Sequence, residues 1–168
     1  MRKHPFIFGV SILVILLAVI FRDRLSELEQ LGLLGIMLIN FLASATIFLP
    51  APAIATVVAG GALYSPLSVA LSSSFGAATG DVVGFLLGHS GKNLFYKKHH
   101  TTFLVVKDLF HTFGGILIFL VAFIPNPFFD VVGILAGFVH YPLMRFFALI
   151  LVGRLIRNFL LASFGSAL

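Results

Sequence analysis

The chain carries one proline-broken pattern twice. Phe48-Leu49-Pro50-Ala51-Pro52, then Ala59-Gly60, then Tyr64-Ser65-Pro66-Leu67 is matched by Phe123-Ile124-Pro125-Asn126-Pro127, Ala136-Gly137 and Tyr141-Pro142-Leu143. Each copy interrupts a long apolar stretch. Proline has no amide hydrogen to donate and clashes with the preceding turn, so two prolines two residues apart stop a helix. At membrane depth the freed backbone groups must be buried in protein or line a wet cavity. Interrupted apolar segments at matching places in two halves of a chain point to a transporter's binding site. The apolar background is chain-wide: 60% of residues are hydrophobic, only 10% are charged, and 20 are Phe. A soluble domain is closer to about half apolar and a quarter charged. The expected fold is an all-α integral membrane protein whose 168 residues form one domain. With no cysteine there is no disulfide or thiol chemistry, and the net charge of +5 reads as membrane topology and attraction to anionic lipid, not as a nucleic-acid signal.

Segment lengths suggest the path. Residues 6–21 are apolar behind Arg2, Lys3 and His4, and Arg22-Asp23-Arg24 follows in place of a small-residue cleavage site, so a retained first helix is expected. Residues 31–64 are too long for one crossing. The arm before Pro50 would rise roughly 28 Å and the arm after Pro52 only about 18 Å, short of a core of about 30 Å. A re-entrant hairpin with Pro50 and Pro52 at its tip is expected, a kinked full span being the alternative. Residues 65–88 make a span on which Ser68, Ser72, Gly76, Gly80, Gly84 and Gly88 recur every fourth position. Such a face lets another backbone approach closely, and a hairpin arm is the expected occupant. Residues 89–113 hold Lys92, Lys97, Lys98 and Lys107, which place them in the cytoplasm and against anionic headgroups, as a loop or basic interfacial helix. Residues 114–140 form a second hairpin around Pro125 and Pro127, and 142–163 a last span. One crossing separates the hairpins, so they open from opposite sides as an inverted repeat with about three spanning helices.

Four ionisable residues fall at membrane depth: Asp81, Asp130, Arg154 and Arg157. Burying charge there is costly, so such groups face a partner or water and mark function. Arg154 and Arg157 lie three apart on one face of the last helix, with Asn158 on the same side. Asp130 and Asn126 sit at the second hairpin's tip. Two arginines can hold a phosphate through forked hydrogen bonds, and Asp81 or Asp130 can neutralise an arginine or carry a proton. The competing reading is a set of Asp–Arg pairs that only fixes helix register. His99-His100 has no third ligand at a zinc-like spacing, so no metal is expected. No nucleophile–base pattern or phosphate-cradling loop appears, so neither enzymatic activity nor a cofactor is expected.

Pro125-Asn126-Pro127-Phe128-Phe129-Asp130, Gly133, Ala136-Gly137, Pro142-Leu143-x-Arg145-Phe146 and Gly153-Arg154-x-x-Arg157 together resemble the DedA family, also called the SNARE-associated Golgi protein or VTT-domain family. The likeness is closest to its small bacterial YqaA-like members and covers about residues 35–165. Gly80-Asp81 and Leu87-Gly88-x-x-Gly91 resemble the element after that family's first hairpin. The resemblance implies opposed re-entrant hairpins and lipid movement, with proton coupling in some members. Many members carry an acid at the first hairpin's prolines and an arginine just before the second pair. This chain has Leu49-Pro50-Ala51-Pro52-Ala53 and Val121-Ala122-Phe123-Ile124 there, so its working charges are others. The expected function is a flippase or scramblase for a phosphate-bearing lipid, phospholipid or polyprenyl phosphate, in the bacterial inner membrane. Its partners are membrane lipids with anionic headgroups, with protons and an oligomer left open. The alternatives are a proton-coupled transporter of a small solute or anion, and a non-transporting structural membrane protein.

Overall fold

The computed structural model describes residues 31–46, 50–98, 100–124 and 129–168, with side chains described for 31–46, 53–91, 104–124 and 131–168. The expected helix at 6–21 and the tip residues Pro125, Asn126 and Pro127 lie outside the described residues. Among the described residues six helices follow in chain order: α1 Leu33–Ala45, α2 Pro50–Leu63, α3 Pro66–Lys98, α4 His100–Phe123, α5 Phe129–Phe138 and α6 Leu143–Ser166. All the regular structure among the described residues is helical.

The prolines start helices as well as stopping them. Pro50 opens α2, Pro66 opens α3, and Pro142 precedes α6. This is where a missing amide hydrogen costs nothing, because the first turn has no intrahelical acceptor for it. Ser65 caps α3: its Oγ accepts the amide of Ser68 at 3.3 Å. α1 stops where the Thr46 hydroxyl donates back to the carbonyl of Leu42 at 2.8 Å.

α1 and α2 fold back on each other. Asn40 donates to Thr56 across the pair at 3.3 Å, Ile36 lies on Gly60, and the chain's entry at Gly32 meets its exit at Tyr64. The arms are therefore antiparallel, with the break between them. Second-half packing repeats one detail. Tyr141, which leaves α5, lies over Gly114 of α4, just as Tyr64 lies over Gly32. α5 ends with His140 in the left-handed region (φ 57), and Tyr141 N–H bonds back to the Ala136 carbonyl at 2.9 Å.

Glycines set the remaining contacts. A Cβ on Gly76 would strike the Met37 carbonyl and one on Gly80 the Phe41 carbonyl, so α1 lies along α3 in the same direction. Gly115 faces Leu149 while Gly153 faces Phe119 and Ala122, so α4 and α6 also run parallel. α3 and α6 are antiparallel: Phe85 meets Phe146, Asp81 meets Arg154, and Ser74 meets Asn158. α2 packs on α6 through Gly61 against Ala162 and Gly165 against Val58. α5 packs on α3 through Gly137 against Phe85 and Gly88 against Ile134. In these last two pairs both helices contribute a glycine to the other's backbone.

Among the described residues three helices are long and apolar enough to cross a membrane: Pro66–Gly91, Leu104–Phe123 and Leu143–Ser166. The second corrects the sequence expectation. Residues 89–113 are no separate loop or interfacial helix. α3 continues through its 33 residues to Lys98, roughly 50 Å, and 100–113 is continuous with 114–123 in α4. Gly114-Gly115 does not interrupt that helix because apolar residues flank it and Tyr141 covers it. The half-length first arm expected from 114 is thus the end of a 24-residue helix.

Candidate functional site at the α3–α6 crossing

Every fourth residue of α6 faces inward: Phe146, Ile150, Arg154, Asn158 and Ala162 are all buried. The apolar members belong to two cores. Phe146 and Ile150 pack with Phe85 and Ile118, whereas Ala162 packs with Ile36, Val57 and Val69. The two polar members lie between these cores, halfway along both long helices.

Arg154 donates through Nη2 to Asp81 Oδ1 at 2.7 Å, and the side chains are 8% and 1% exposed. Two close approaches hold this pair in place. Gly80, next to Asp81, lets the end of α1 onto α3, and Gly153, next to Arg154, lets the end of α4 onto α6. A Gly-Asp step in one half thus answers a Gly-Arg step in the other. Ser44 of α1 and Arg157 also lie within electrostatic reach of Asp81.

One turn further on, Asn158 is completely buried and fully engaged. Its Nδ2 donates to Ser73 Oγ at 2.9 Å and Ser74 Oγ at 3.1 Å, and its Oδ1 accepts from Arg157 Nε at 3.1 Å. Two α3 hydroxyls therefore orient an α6 amide, which orients a guanidinium. Arg157 is half-buried, and no described residue accepts from its Nη groups. A guanidinium held at Nε keeps its two-pronged edge for a planar, bidentate partner such as a phosphate or carboxylate. Among the described side chains the site thus contains one arginine bonded to a carboxylate and one arginine oriented by an amide.

The remaining candidates sort as follows. Gly76, Gly80 and Gly88 admit neighbouring backbones, but Gly84 has only Ile134 Cγ1 at 3.9 Å and room for a methyl. Pro50 and Pro52 lie in the first turn of α2, Asp130 in the first turn of α5, and Lys92, Lys97 and Lys98 in the last turns of α3, all without described side chains. Lys107 is exposed on α4. Among the described residues no group of three metal-ligating side chains occurs. The sequence reading missed Ser73 and Ser74, placing Ser72 on the packing face instead, and it missed the buried Asn40–Thr56 contact between the arms of the first pair. A polar side chain within an apolar run needs a partner at membrane depth, and that is the signal Asn40 and the serines carried.

Residues 49–167 match the family model described as the VTT domain. No curated protein and no solved structure matches the chain.

Proposed function

Because the chain belongs to the VTT-domain family, whose members are membrane proteins, we propose that it moves a phosphate-bearing lipid between the two leaflets. The observation that carries this reading is Arg157: a half-buried cation at mid-span, oriented by Asn158, Ser73 and Ser74, with its forked edge unengaged among the described residues. A cation at that depth is stable only beside an anion or water. The headgroup phosphate of a lipid is an anion that arrives with its own apolar anchor.

The helix directions support two re-entrant hairpins in an inverted repeat. α1 and α2 have 13 and 14 residues, about 20 Å each, too short to cross. They are antiparallel, with entry and exit side by side at Gly32 and Tyr64. α5 has 10 residues and returns after the second proline pair. α1 and α3 run one way while α4 and α6 run the other, and the reciprocal glycine contacts of α2 with α6 recur between α5 and α3. In this reading the end of α1 at Gly80 and the end of α4 at Gly153 come together near the midplane, beside the Asp81–Arg154 pair. The basic residues around 89–113 orient this end to the cytoplasm of a bacterial inner membrane.

The test is reconstitution. Purified protein in liposomes should expose an inner-leaflet labelled phospholipid faster than protein-free vesicles do. Uptake of a small anion without lipid movement would favour a solute transporter. No movement of either by correctly folded protein would leave a structural membrane protein whose Asp81–Arg154 pair fixes helix register.

A further inference from the structure

His140 interrupts the likeness of the two proline-broken copies. Gly60 to Tyr64 in the first aligns with Gly137 to Tyr141 in the second, so His140 stands where the first copy has the exposed Leu63. His140 adopts left-handed backbone (φ 57), uncommon for a residue other than glycine. Its ring centroid lies 4.0 Å from that of His89 on α3, and His89 stacks in turn on Phe85 at 6.3 Å. Tight packing backs the contact. Gly137 admits the α3 backbone at Phe85 and His89, and the Phe138 ring covers Gly91. The hydroxyl of Ser90, between these two contacts in sequence, is buried without a hydrogen-bond partner.

We propose that His89 and His140 form a pH-sensitive clamp, which holds the end of α5 on α3 while at most one ring is protonated and releases it when both are. Two neutral imidazoles attract as an aromatic pair, and one imidazolium over a neutral ring keeps a cation–π attraction. Two imidazoliums this close repel. His140 is exposed, so protons from water reach it. The Phe138 carbonyl, 3.3 Å from His140 Nδ1, can only accept, so Nδ1 donates in that bond and Nε2 takes up the next proton. Release takes up protons, so the contact is complete at higher pH and is lost as pH falls through the ordinary imidazole range near about 6.5. The neighbouring charges are these. On α3, Asp81 lies roughly two turns before His89 and is bonded to Arg154, and Lys92 follows His89 by three residues, without a described side chain. Asp130 begins α5 at its far end. Tyr141 is directed to Gly115 of α4, on which Lys107, Asp108 and His111 are exposed, and Arg145 is exposed on α6. His99 and His100 lie where α3 gives way to α4.

The experiment uses the full cysteine-free chain in detergent, with Ser90→Cys as a buried reporter of whether α5 covers α3. Its rate of labelling by a maleimide is divided by that of the exposed Thr112→Cys, which removes the pH dependence of the thiol reaction itself. Between pH 7.5 and pH 5.5 this ratio is expected to rise at least roughly tenfold, the change that uptake of one proton brings per pH unit. Adding His89→Phe keeps a ring against His140 that cannot be protonated, and the ratio is expected to stay low at both pH values. Adding His140→Asn, which tolerates the left-handed backbone, is expected to give one ratio at both. Changing Lys92, His99, His100 and His111 together to glutamine is expected to preserve the rise. A ratio independent of pH in Ser90→Cys would overturn the clamp. So would a rise that persists with His89→Phe or His140→Asn, which would assign the response to another group such as Asp81, or a rise lost with the four glutamines. Should Ser90→Cys itself disturb the fold, melting temperatures decide: between pH 7.5 and pH 5.5 wild type is expected to lose more than His89→Phe, and equal losses would overturn the proposal. Neither readout involves lipid movement, so the clamp is tested apart from the transport reading.

Discussion

Arg154 and Arg157 are three residues apart on one helix face, yet they have different partners and should respond differently to substitution. Removing Asp81 leaves Arg154 buried without its carboxylate, and breaking a buried ion pair on one side costs about 3–5 kcal/mol. Asp81→Asn should therefore lower the melting temperature in detergent more than the double change Asp81→Asn with Arg154→Gln, which removes both charges together. A double variant less stable than the single would show that the ionic bond is not what Asp81 contributes. Asn158→Ala should leave the Ser74 hydroxyl and the Arg157 Nε without their described partner, while Ser73 still donates to the Ala70 carbonyl at 3.4 Å, at about 1–3 kcal/mol for each buried group left without a partner. The sequence exposed the charges and their shared face, because an ionisable residue in an apolar run stands out. It did not expose which charge pairs with which. Asp81 and Arg154 are 73 positions apart, and only the register of α3 against α6 joins them. Ser73 and Ser74 were hidden for the same reason: serine is common on packing faces, and nothing local distinguishes a hydroxyl facing Asn158 from one facing its own helix.

Packing of the elements depends on whether a glycine is covered by backbone or by open space. Gly76 and Gly88 lie directly under carbonyls of Met37 and Ile134, so even a methyl at either must push helices apart. Gly76→Ala and Gly88→Ala should each destabilise by about 1–3 kcal/mol, the usual range for overpacking a tight contact, whereas Gly84→Ala should be neutral or slightly stabilising because alanine is the better helix former. Thermal melts of the three variants check this, and equal melting temperatures would mean that the small-residue face of α3 is not a backbone contact. The four-residue spacing made this face legible in the sequence, and the individual roles were not. The proline breaks likewise marked where α2 begins. The end of α3 was misplaced, because a basic stretch reads as an interfacial segment, although lysines are good helix formers and α3 extends through them to Lys98. In the cysteine-free chain, Asn40→Cys and Thr56→Cys together should cross-link the arms of the first pair under mild oxidation. Single cysteines at Gln30 and Ser65 should label from the same side of the membrane. Labelling from opposite sides would replace the hairpin by a kinked crossing.

For the whole molecule the two halves supply complementary parts of one centre. Gly80-Asp81 arrives on α3 with the end of α1 beside it, and Gly153-Arg154 arrives on α6 with the end of α4 beside it. Their meeting lies between two separate apolar cores, so the polar crossing is where the halves can shift relative to one another with least loss of buried apolar surface. That arrangement suits a protein that carries a charged headgroup past the midplane while its acyl chains remain in lipid. On the proposed lipid-transport reading the cation that meets the headgroup is Arg157, and lipid movement by Arg157→Gln tests it. Vesicles should contain equal amounts of folded protein, wild type or variant, and a fluorescent phosphatidylglycerol in both leaflets, with an impermeant quencher added outside. Wild type should bring the inner-leaflet signal out for quenching and Arg157→Gln should fall to the rate of protein-free vesicles, while Arg157→Lys should keep a partial rate because lysine supplies the charge without the fork. Movement at the wild-type rate by folded Arg157→Gln would contradict it.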